Sequence, residues 1–323
     1  MRIGIITPAR AHSRHGNRVT ALRWQNILRE LGHQVTIAQN YYGGRYDLLV
    51  ALHARRSHSS ILRFHTEHSG APLIVALTGT DLYHDLGQSR RAQESLELAT
   101  RLIVLQPKAL QKLRPQLRRK ARVIFQSVAM KPKADRGESL SNRTRRTFDV
   151  CVAGHLRSVK DPFRAALAAR LVPLESRILI LHAGRAMTQT YEARTRAEMK
   201  LNPRYRWLGE VSRERVFHLL RCCKLFVLSS RLEGGANALG EAIAAGLPIL
   251  ASRIPGNVGI LGKNYPGFFN VGDTKGLAKL LSRAETDSTF RAELKTRCKK
   301  LASLFKPSRE KAAWAKLLAD LGR

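Results

Sequence analysis

The sequence contains few acidic residues, few aromatic residues and few cysteines, and it has no long apolar run. Its apolar stretches, such as Leu225–Leu228, fall far short of the roughly 18–20 residues that cross a bilayer. The apolar stretch that follows Met1 is too short for the core of a signal peptide. No CxxC pair is present, which argues against a disulfide framework and against structural zinc. The cysteines are Cys151, Cys222, Cys223 and Cys298. These absences predict a cytoplasmic protein without a membrane span.

Acidic residues are so few that 57 Lys and Arg stand against 24 Asp and Glu, and the formal net charge is +33. Residues 1–150 carry 26 basic and 10 acidic residues and residues 151–323 carry 31 and 14, so the excess is not a basic tail. A basic chain favours an anionic partner, although an Arg-rich composition alone produces the same charge. Zinc-finger spacing, basic heptads and an RNP-type motif are lacking. We therefore expect no nucleic-acid partner, and a basic nucleic-acid-binding protein on a Rossmann scaffold remains the non-enzymatic alternative.

With 323 residues, of which 44% are hydrophobic, the chain exceeds the usual size of one core, so two domains are expected. Short β-rich runs alternate with longer amphipathic segments, which is typical of βαβ units and parallel sheets. The first series of strands is predicted at Ile3–Thr7, Val35–Ala38, Leu48–His53, Leu73–Thr78, Leu102–Gln106 and Val123–Gln126. The second series is predicted at Phe148–Gly154, Ile178–Gly184, Tyr205–Gly209, Leu225–Ser229 and Pro248–Ser252.

A polar, aperiodic segment separates the two series and predicts a linker over residues 131–147. It divides the chain into a Rossmann-like domain over residues 1–130 and a second one over residues 148–305. A last helix follows Lys306-Pro307 with Trp314 and Leu317 on one side, and we expect residues 306–323 to return to the first domain. The predicted fold class is α/β, with two parallel sheets that face each other across a cleft.

Ligands of open α/β sheets bind beyond the carboxyl ends of the strands, so the loops after the strands are the places to search for a site. The loop after the first strand contains one glycine, Gly16, and cannot be the GxGxxG turn of a dinucleotide site. The strand-end loops hold no DxD pair, and the chain has no His/Cys cluster at ligand spacing. We therefore expect neither a metal nor another cofactor.

The strongest motif follows the strand that ends at Ser229, where a loop with paired glycines leads into a helix that runs to Gly246. Glu233 and Glu241 are eight residues apart, at most about 12 Å along a helix axis, which matches the reach from a ribose across a diphosphate to a sugar. Gly234 and Gly235 would leave backbone N–H groups open at the positive end of the helix, where a diphosphate is stabilised. The alternative is a solvated Glu241 and a tight turn.

This motif resembles the donor site of the GT-B-fold glycosyltransferases of family 4, with Glu233-Gly234 followed by Glu241-Ala242 and then by Gly246-Leu247-Pro248. The resemblance implies that Glu233 holds the hydroxyls of the donor sugar and that Glu241 holds the ribose diol. The family places a basic pair after the first donor-domain strand, and here Lys160 fits that pattern while His155 replaces the Arg, with Arg157 as a substitute. The predicted catalytic residues are Lys160, Arg157 and Glu233, and the predicted donor-binding residues are Gly154, His155, Gly234, Gly235, Ala236, Asn237 and Glu241.

A narrower resemblance covers nearly the whole chain. The runs Gly16–Ala21, Thr78–Tyr83, Gly154–Pro162, Glu233–Asn237 and Ser252–Gly262 are similar to those of the selenosugar synthases of the selenoneine pathway. This resemblance implies that a sugar moves from a UDP-sugar, most simply UDP-N-acetylglucosamine, to selenophosphate and that phosphate then leaves. A family 4 glycosyltransferase with a different acceptor is the second hypothesis.

The loops of the first domain suit a small acceptor with several negative charges, because the guanidinium of Arg presents a fork of two N–H donors that matches two phosphate oxygens. A chain this rich in Arg would also place several in any loop, and Asp81 at a strand end could simply cap the next helix. The predicted acceptor-binding residues are Arg10, Arg14, Gly16, Asn17, Arg18, His53, Arg55, Arg56, Thr80 and Asp81. The sequence leaves open the anomeric outcome and the oligomeric state.

Overall fold

The computed structural model describes residues 1–13, 15–129 and 147–321. The chain forms two compact units: unit 1 consists of Met1–Ser127, Glu233–Asn237 and Lys306–Arg323, and unit 2 consists of Val128–Leu232 and Ala238–Phe305. Arg14 and residues 131–146 of the predicted linker lie outside the described residues. The carboxyl-terminal segment after Phe305 therefore groups with the amino-terminal strands, and so does the short stretch that carries Glu233.

Within the described part of unit 1, six parallel strands form one sheet in the order β2-β1-β3-β4-β5-β6. Buried Leu, Ile and Val fill both faces of the central strands β3 and β4, as expected for a parallel sheet covered by helices on either side. The strands are β1 Arg2–Ile6, β2 Gln34–Ala38, β3 Leu48–Leu52, β4 Leu73–Leu77, β5 Arg101–Val104 and β6 Ala121–Val123.

The described part of unit 2 holds a second sheet of six parallel strands in the order β12-β11-β10-β7-β8-β9. Its strands are β7 Phe148–Ala153, β8 Ile178–Ala183, β9 Tyr205–Trp207, β10 Leu225–Leu228, β11 Ile249–Ser252 and β12 Phe268–Phe269. The α/β prediction with two Rossmann-like halves is confirmed. Strand β12 was not predicted, because two residues are too few to show a period, and β6 lies earlier than the predicted Val123–Gln126.

The helices fill the connections between the strands, as the amphipathic segments predict. Among the described residues, no helix is both long and apolar enough to span a membrane. Short 3-10 turns occur at Pro107–Lys112, Ser158–Lys160 and Ala302–Phe305, and a π turn occurs at Asp81–Asp85. The α-helices are α1 Gly16–Glu30, α2 His58–Glu67, α3 Arg90–Leu98, α4 Pro115–Arg119, α5 Arg164–Ala169, α6 Gln189–Leu201, α7 Arg213–Cys222, α8 Asn237–Ala244, α9 Pro255–Leu261, α10 Thr274–Thr286, α11 Ser288–Leu301 and α12 Pro307–Ala319.

Helix α12 packs on helix α1 through two fully buried tryptophans. The rings of Trp24 and Trp314 meet edge to face, with centroids 5.0 Å apart and planes at 72°. Leu317 joins them in the same hydrophobic core. Aromatic pairs of this geometry add to the hydrophobic stabilisation from burial, so α12 is an integral part of the core of unit 1.

The imidazole of His182 is enclosed in unit 2 at the end of β8. Its Nδ1 lies 3.0 Å from Tyr205 Oη and its Nε2 lies 3.0 Å from the carbonyl oxygen of Gly154. A carbonyl only accepts, so Nε2 bears the proton and Nδ1 accepts from the tyrosine hydroxyl. Burial lowers the pKa of His182 to about 4, because a buried imidazolium loses its hydration. The neutral ring therefore holds the Gly154 carbonyl in place.

This buried histidine predicts a pH dependence of stability. The unfolded state binds a proton near pH 6.5 whereas the folded state binds it only near pH 4, so the free energy of unfolding falls as the pH drops through that window. The full loss is roughly 3 kcal/mol, from about 1.4 kcal/mol per pKa unit. Urea denaturation of the wild type and of His182→Gln between these pH values measures it. His65→Gln, at an exposed position on α2, is the control. Equal slopes for wild type and His182→Gln would contradict the assignment.

Candidate functional site

The predicted acceptor residues of unit 1 follow three neighbouring strands. Arg10 lies in the loop after β1, His53 follows β3 and Thr80 follows β4, and these strands are adjacent in the sheet order. Because parallel strands point the same way, all three loops lie at one edge of the sheet. The strand order, which was not predicted from the sequence, therefore brings the three loops to the same edge of the sheet.

His53 adopts a strained backbone conformation, with φ at +74°, although its side chain is buried. Its Nδ1 accepts from the Arg56 backbone N–H at 3.4 Å, and its Nε2 lies 2.9 Å from Thr80 Oγ1. Burial lowers the pKa of His53, while Asp81 and Asp85 oppose that shift. The neutral ring then donates from Nε2 to Thr80, so the exposed threonine hydroxyl can point its own proton toward a ligand.

The side chain of Asp81 holds together the loops after β3 and β4. Its carboxylate is fully buried and accepts backbone N–H groups from Thr78 and Gly79 on its own loop and from Ala54 after β3. Leu82 N–H is a further donor. The sequence left two roles open for Asp81, ligand contact and a helix cap; Asp81 is the first residue of the π turn, and its contacts join the loops after β3 and β4.

Arg55 is fixed by a buried carboxylate. Its Nε donates to Asp85 Oδ2 at 2.9 Å, and its side chain is 48% exposed. Burial alone would raise the pKa of Asp85, but the hydrogen bond from His84 and the charge and hydrogen bond of Arg55 oppose it, and the pKa is lowered. The Nε contact orients the guanidinium, whose terminal nitrogens form the fork that matches a phosphate. The neighbouring Arg56 is exposed.

The remaining acceptor candidates lie around the start of α1. Gly16 and Asn17 form its first turn, and Arg10 is exposed in the preceding loop. Arg18 is half-buried, and its Nε is enclosed without a hydrogen-bond partner among the described residues. Buried donors without a partner are rare in folded proteins. Arg14, the other predicted acceptor residue of this loop, lies outside the described residues.

The segment Glu233–Asn237, which carries the first half of the motif, packs within unit 1 by a close backbone approach. A Cβ at Gly234 would lie 2.5 Å from the Thr78 carbonyl oxygen, and a Cβ at Gly79 would lie 2.7 Å from Gly234 N. No side chain fits between the two backbones. The structure shows that Gly234 is required by packing, and the open N–H groups at Gly234 and Gly235 stay a prediction. Ala236 is buried and Gly235 is half-buried.

In unit 2, the residues after β7 form the basic loop predicted from the motif. Arg157 precedes the 3-10 turn that ends at Lys160, and the Lys160 N–H donates to the Arg157 carbonyl at 2.9 Å. Ser229, at the end of the neighbouring strand β10, places its Oγ 3.1 Å from the Lys160 carbonyl oxygen and 3.0 Å from that of Asp161. The lysine backbone is therefore tied to the next strand, and Asp161 after it has a left-handed conformation with φ at +45°.

His155 has a defined tautomer. The Arg185 backbone N–H donates to its Nδ1 at 3.2 Å, so in the neutral ring the proton is on Nε2. The preceding Gly154 is held by His182 and by close packing, because a Cβ at Gly184 would lie 1.9 Å from the Gly154 carbonyl oxygen. A glycine at position 184 is thus needed for the loop after β7 to adopt its course.

Glu241 lies on α8 with its side chain 14% exposed, and Arg213 at the start of α7 places a guanidinium nitrogen 3.7 Å from its carboxylate. The sequence motif gave no indication of Arg213, which lies 28 residues earlier in the chain. The alternative of a fully solvated Glu241 does not match this burial. The ion pair keeps the carboxylate oriented on the first turns of the helix.

A small cavity in unit 2 coincides with part of the predicted donor site, because Gly154 and Lys160 line it together with His182 and Ser229. In the parts of the chain that the structure describes, no group of three or more His, Cys, Asp or Glu side chains could hold a metal ion. A cavity of about 710 Å³ in unit 1 is lined by Tyr83, His84, Lys112, Arg114 and their neighbours, and it includes none of the predicted acceptor residues.

Sequence reasoning missed the residues that support the predicted ones: His182, Ser229, Arg213, Asp85 and Glu310. Each acts through a contact made across a long stretch of chain, such as the 69 residues between Ser229 and Lys160. Glu310 is buried in a helix whose other charged residues are basic apart from Asp320 beyond its end. An isolated acidic residue in such a helix is the one signal that could have drawn attention to it.

Comparison with known proteins gives a family for the chain. The family model described as glycosyl transferases group 1 matches residues 137–302, just over half of the 323 residues. A relative in Escherichia coli, UDP-Gal:alpha-D-GlcNAc-diphosphoundecaprenol alpha-1,3-galactosyltransferase, is 30% identical over 166 residues. That match covers 49% of this chain and 42% of the relative, so it spans less than half of the relative's length.

Solved structures show the same fold along the whole chain. HepE from Anabaena, in complex with UDP and glucose, matches with a TM-score of 0.78 at 17% identity over 99% of this chain and 100% of that chain. Sucrose-phosphate synthase from Thermosynechococcus elongatus matches with a TM-score of 0.78 at 15% identity over 99% and 98%. At these identities the likeness concerns the fold, and it confirms the predicted GT-B class. By its family model and its fold, the chain belongs to the glycosyl transferases group 1 family.

Proposed function

We propose that the protein transfers a sugar, N-acetylglucosamine in the simplest case, from a UDP-sugar to selenophosphate. The observation that carries the donor half is the motif Glu233-Gly234 with Glu241-Ala242 in a chain that belongs to a glycosyltransferase family. The names of its relatives support a UDP-sugar, since they include a galactosyltransferase that uses UDP-Gal and a protein bound to UDP and glucose. The acceptor half rests on the narrower resemblance and on the basic loops of unit 1.

On the donor side, Glu233 is proposed to hold the sugar hydroxyls and Glu241 the ribose diol. Lys160 and Arg157 stabilise the negative charge that develops on the departing diphosphate, and one preorganised donor of this kind supplies roughly 3–4 kcal/mol. His155 bears its proton on Nε2 and can donate it to a phosphate oxygen. The link from Ser229 to the Lys160 carbonyl supplies preorganisation, because it fixes the lysine backbone before any ligand binds.

On the acceptor side, a small anion with several negative charges suits the loop edge of unit 1. Asp85 orients Arg55. The Nε of Arg18 is buried and has no hydrogen-bond partner among the described residues. The Thr80 hydroxyl, which accepts from His53, supplies a directed donor at the same edge of the sheet. Arg forks recognise phosphate oxygens in two-point contacts. A neutral sugar would offer no negative charge to the exposed part of the Arg55 guanidinium or to Arg18.

The proposed reaction balances in two steps. A lone pair of selenium forms the C1–Se bond while the bond from C1 to the phosphate oxygen breaks, and UDP leaves with that electron pair. Water then attacks phosphorus, the P–Se bond breaks, and phosphate and the selenol of the sugar result. Selenophosphate is already ionised, so the first step requires no general base, in contrast to transfer to a hydroxyl.

A second candidate is a family member with another acceptor. The name of the Escherichia coli relative gives one example, a sugar linked to a lipid diphosphate. Both candidates share the donor chemistry, and only the acceptor separates them. The nucleic-acid alternative is supported only by the overall charge. A salt titration tests it, because contacts to several phosphates make the logarithm of the binding constant fall steeply with the logarithm of the salt concentration.

The first test uses purified protein with UDP-N-acetylglucosamine and selenophosphate, and mass spectrometry for a sugar that contains selenium. We expect product from the wild type, also after treatment with EDTA, since the basic groups neutralise the diphosphate without a metal. Glu233→Ala and Lys160→Ala should lower kcat at least about a hundredfold with little change in Tm, as is usual for loss of a transition-state donor. Glu241→Ala should mainly weaken UDP binding.

Lys200→Ala on α6 is the matched control for the lysine and should retain full activity. Activity lost on chelation and regained with Mg²⁺ or Mn²⁺ would count against the leaving-group assignment. Unfolding of Glu233→Ala with normal activity of its folded fraction would count against the donor assignment.

The second test concerns the acceptor charge. An Arg55→Ala, Arg56→Ala variant should raise KM for selenophosphate at least about tenfold and leave KM for the UDP-sugar unchanged, since each lost ionic hydrogen bond contributes roughly 1.5–3 kcal/mol. Arg55→Lys should also be harmful, because a lysine lacks the fork. Thiophosphate should compete with selenophosphate. The adjacent exposed pair Arg90 and Arg91, replaced in the same way, is the control.

Unchanged acceptor kinetics in the double variant, together with efficient transfer to a neutral hydroxyl acceptor, would replace the selenophosphate proposal with the second candidate. The Tm of each variant must be measured beside the kinetics, because removal of Arg55 leaves the buried Asp85 with fewer partners.

A further inference from the structure

A buried ion pair in unit 1 is connected by a hydrogen bond to the segment that carries Glu233. The carboxylate of Glu310 on α12 is completely enclosed, and the side chain of Arg23 on α1 is 13% exposed. Arg23 Nε lies 3.2 Å from Glu310 Oε2. Trp24 Nε1 donates to Oε1 and the Ser127 backbone N–H donates to Oε2, both at 2.7 Å. Both oxygens of the carboxylate are thus occupied by donors.

The guanidinium of Arg23 also reaches the donor segment. Its Nη1 donates to Asn237 Oδ1 at 3.2 Å. One planar cation therefore joins Glu310 to the side chain of the last residue of Glu233–Asn237. A guanidinium presents several donors in a rigid plane, so a carboxylate that fixes one edge also fixes the direction of the others.

Gln126 completes the connection. With its amide oriented so that every atom meets a partner of the opposite kind, its nitrogen donates to Asn237 Oδ1 at 3.1 Å and to the Gly235 carbonyl at 3.0 Å. Its oxygen accepts from Arg23 Nη2 at 3.0 Å and from Thr20 Oγ1. The segment is therefore held at two points, the Gly235 carbonyl and the Asn237 amide, by groups that themselves depend on Arg23.

A buried ion pair gives little net stability, because the desolvation of two charges offsets their attraction. Stability alone therefore explains poorly why a carboxylate and a guanidinium occupy this place. A rigid position for the segment explains it better, since a fully satisfied polar network specifies one arrangement. The close approach of Gly234 to Thr78 fixes one end of the segment, and Arg23 with Gln126 fixes the other end at Asn237, so the whole segment has one conformation only while both ends are held.

We propose that Arg23, oriented by Glu310, is a positioning residue that sets the conformation of Glu233–Asn237 for binding of the nucleotide-sugar donor. This proposal rests on the proposed function for its donor. Arg23 acts through Asn237 and Gln126. The predicted consequence of its loss is a mobile segment and weaker donor binding.

The main variant is Arg23→Met, examined without turnover. We expect hydrogen–deuterium exchange of the amides in residues 233–237 to accelerate at least about tenfold and Kd for UDP by calorimetry to rise about tenfold, the equivalent of one to two lost hydrogen bonds. KM for selenophosphate should change less than Kd for UDP. Arg23→Lys, which keeps the charge but cannot reach both partners, should show the same changes to a smaller extent and covers the case in which Arg23→Met does not fold.

Two further variants separate positioning from stability. Lys311→Met removes the exposed Lys311–Glu30 pair, 3.0 Å long, which joins the same two helices, and it should change neither exchange nor UDP binding. The Arg23→Met, Glu310→Gln double variant removes the unpaired buried charge, so its Tm should recover toward the wild type while UDP binding remains weak. If UDP affinity recovers together with Tm, the pair is structural and the proposal is wrong.

The exchange measurement also distinguishes this proposal from the proposed function. Faster exchange at residues 233–237 in Arg23→Met supports positioning even if the wild type forms no selenosugar, in which case the substrate assignment alone falls. Wild-type exchange in Arg23→Met, in a protein that does form the selenosugar, overturns the positioning role and leaves the function intact.

Discussion

The backbone approach between Gly79 and Gly234 is the constraint on which the arrangement of unit 1 depends. A Cβ at either position would lie within 2.7 Å of the other segment. This contact brings the first half of the motif against the carboxyl end of β4, where the Asp81 carboxylate also fixes the loop. The glycines therefore determine where Glu233 lies, while Arg23, Gln126 and Glu310 hold the other end of the segment.

Several of the few acidic side chains in this protein pair with particular arginines. Asp85 orients Arg55, Glu310 orients Arg23, and Arg213 lies beside Glu241. With 57 basic and 24 acidic residues, most cations have no acidic partner available. A buried carboxylate must be compensated, so the buried acids mark the arginines whose direction the fold controls. Those arginines are the informative ones in a chain where the residue type is common.

Neutral histidines have a comparable role in the loops. His182 holds the Gly154 carbonyl in unit 2, and His53 donates to Thr80 in unit 1. Burial lowers the pKa of both rings, so each presents one donor and one acceptor at neutral pH. Each therefore links a strand end to an adjacent loop without adding to the positive charge. The tautomers follow from backbone partners that do not change with pH.

The sequence by itself determined the alternation of strands and helices, the two α/β halves and the position of the motif, because hydrophobic period and turn residues are local properties. The resemblance of its motifs to those of a family also predicts roles for Lys160, Glu233 and Glu241, and these stay predictions. Only the tertiary structure decided that Glu233–Asn237 belongs to unit 1, that Asp81 joins two loops and that Gly234 is required by packing. The buried partners of these residues, such as Glu310 for Arg23 and Ser229 for Lys160, are distant in the chain. Their contacts arise from strand order and helix packing, which no local pattern encodes.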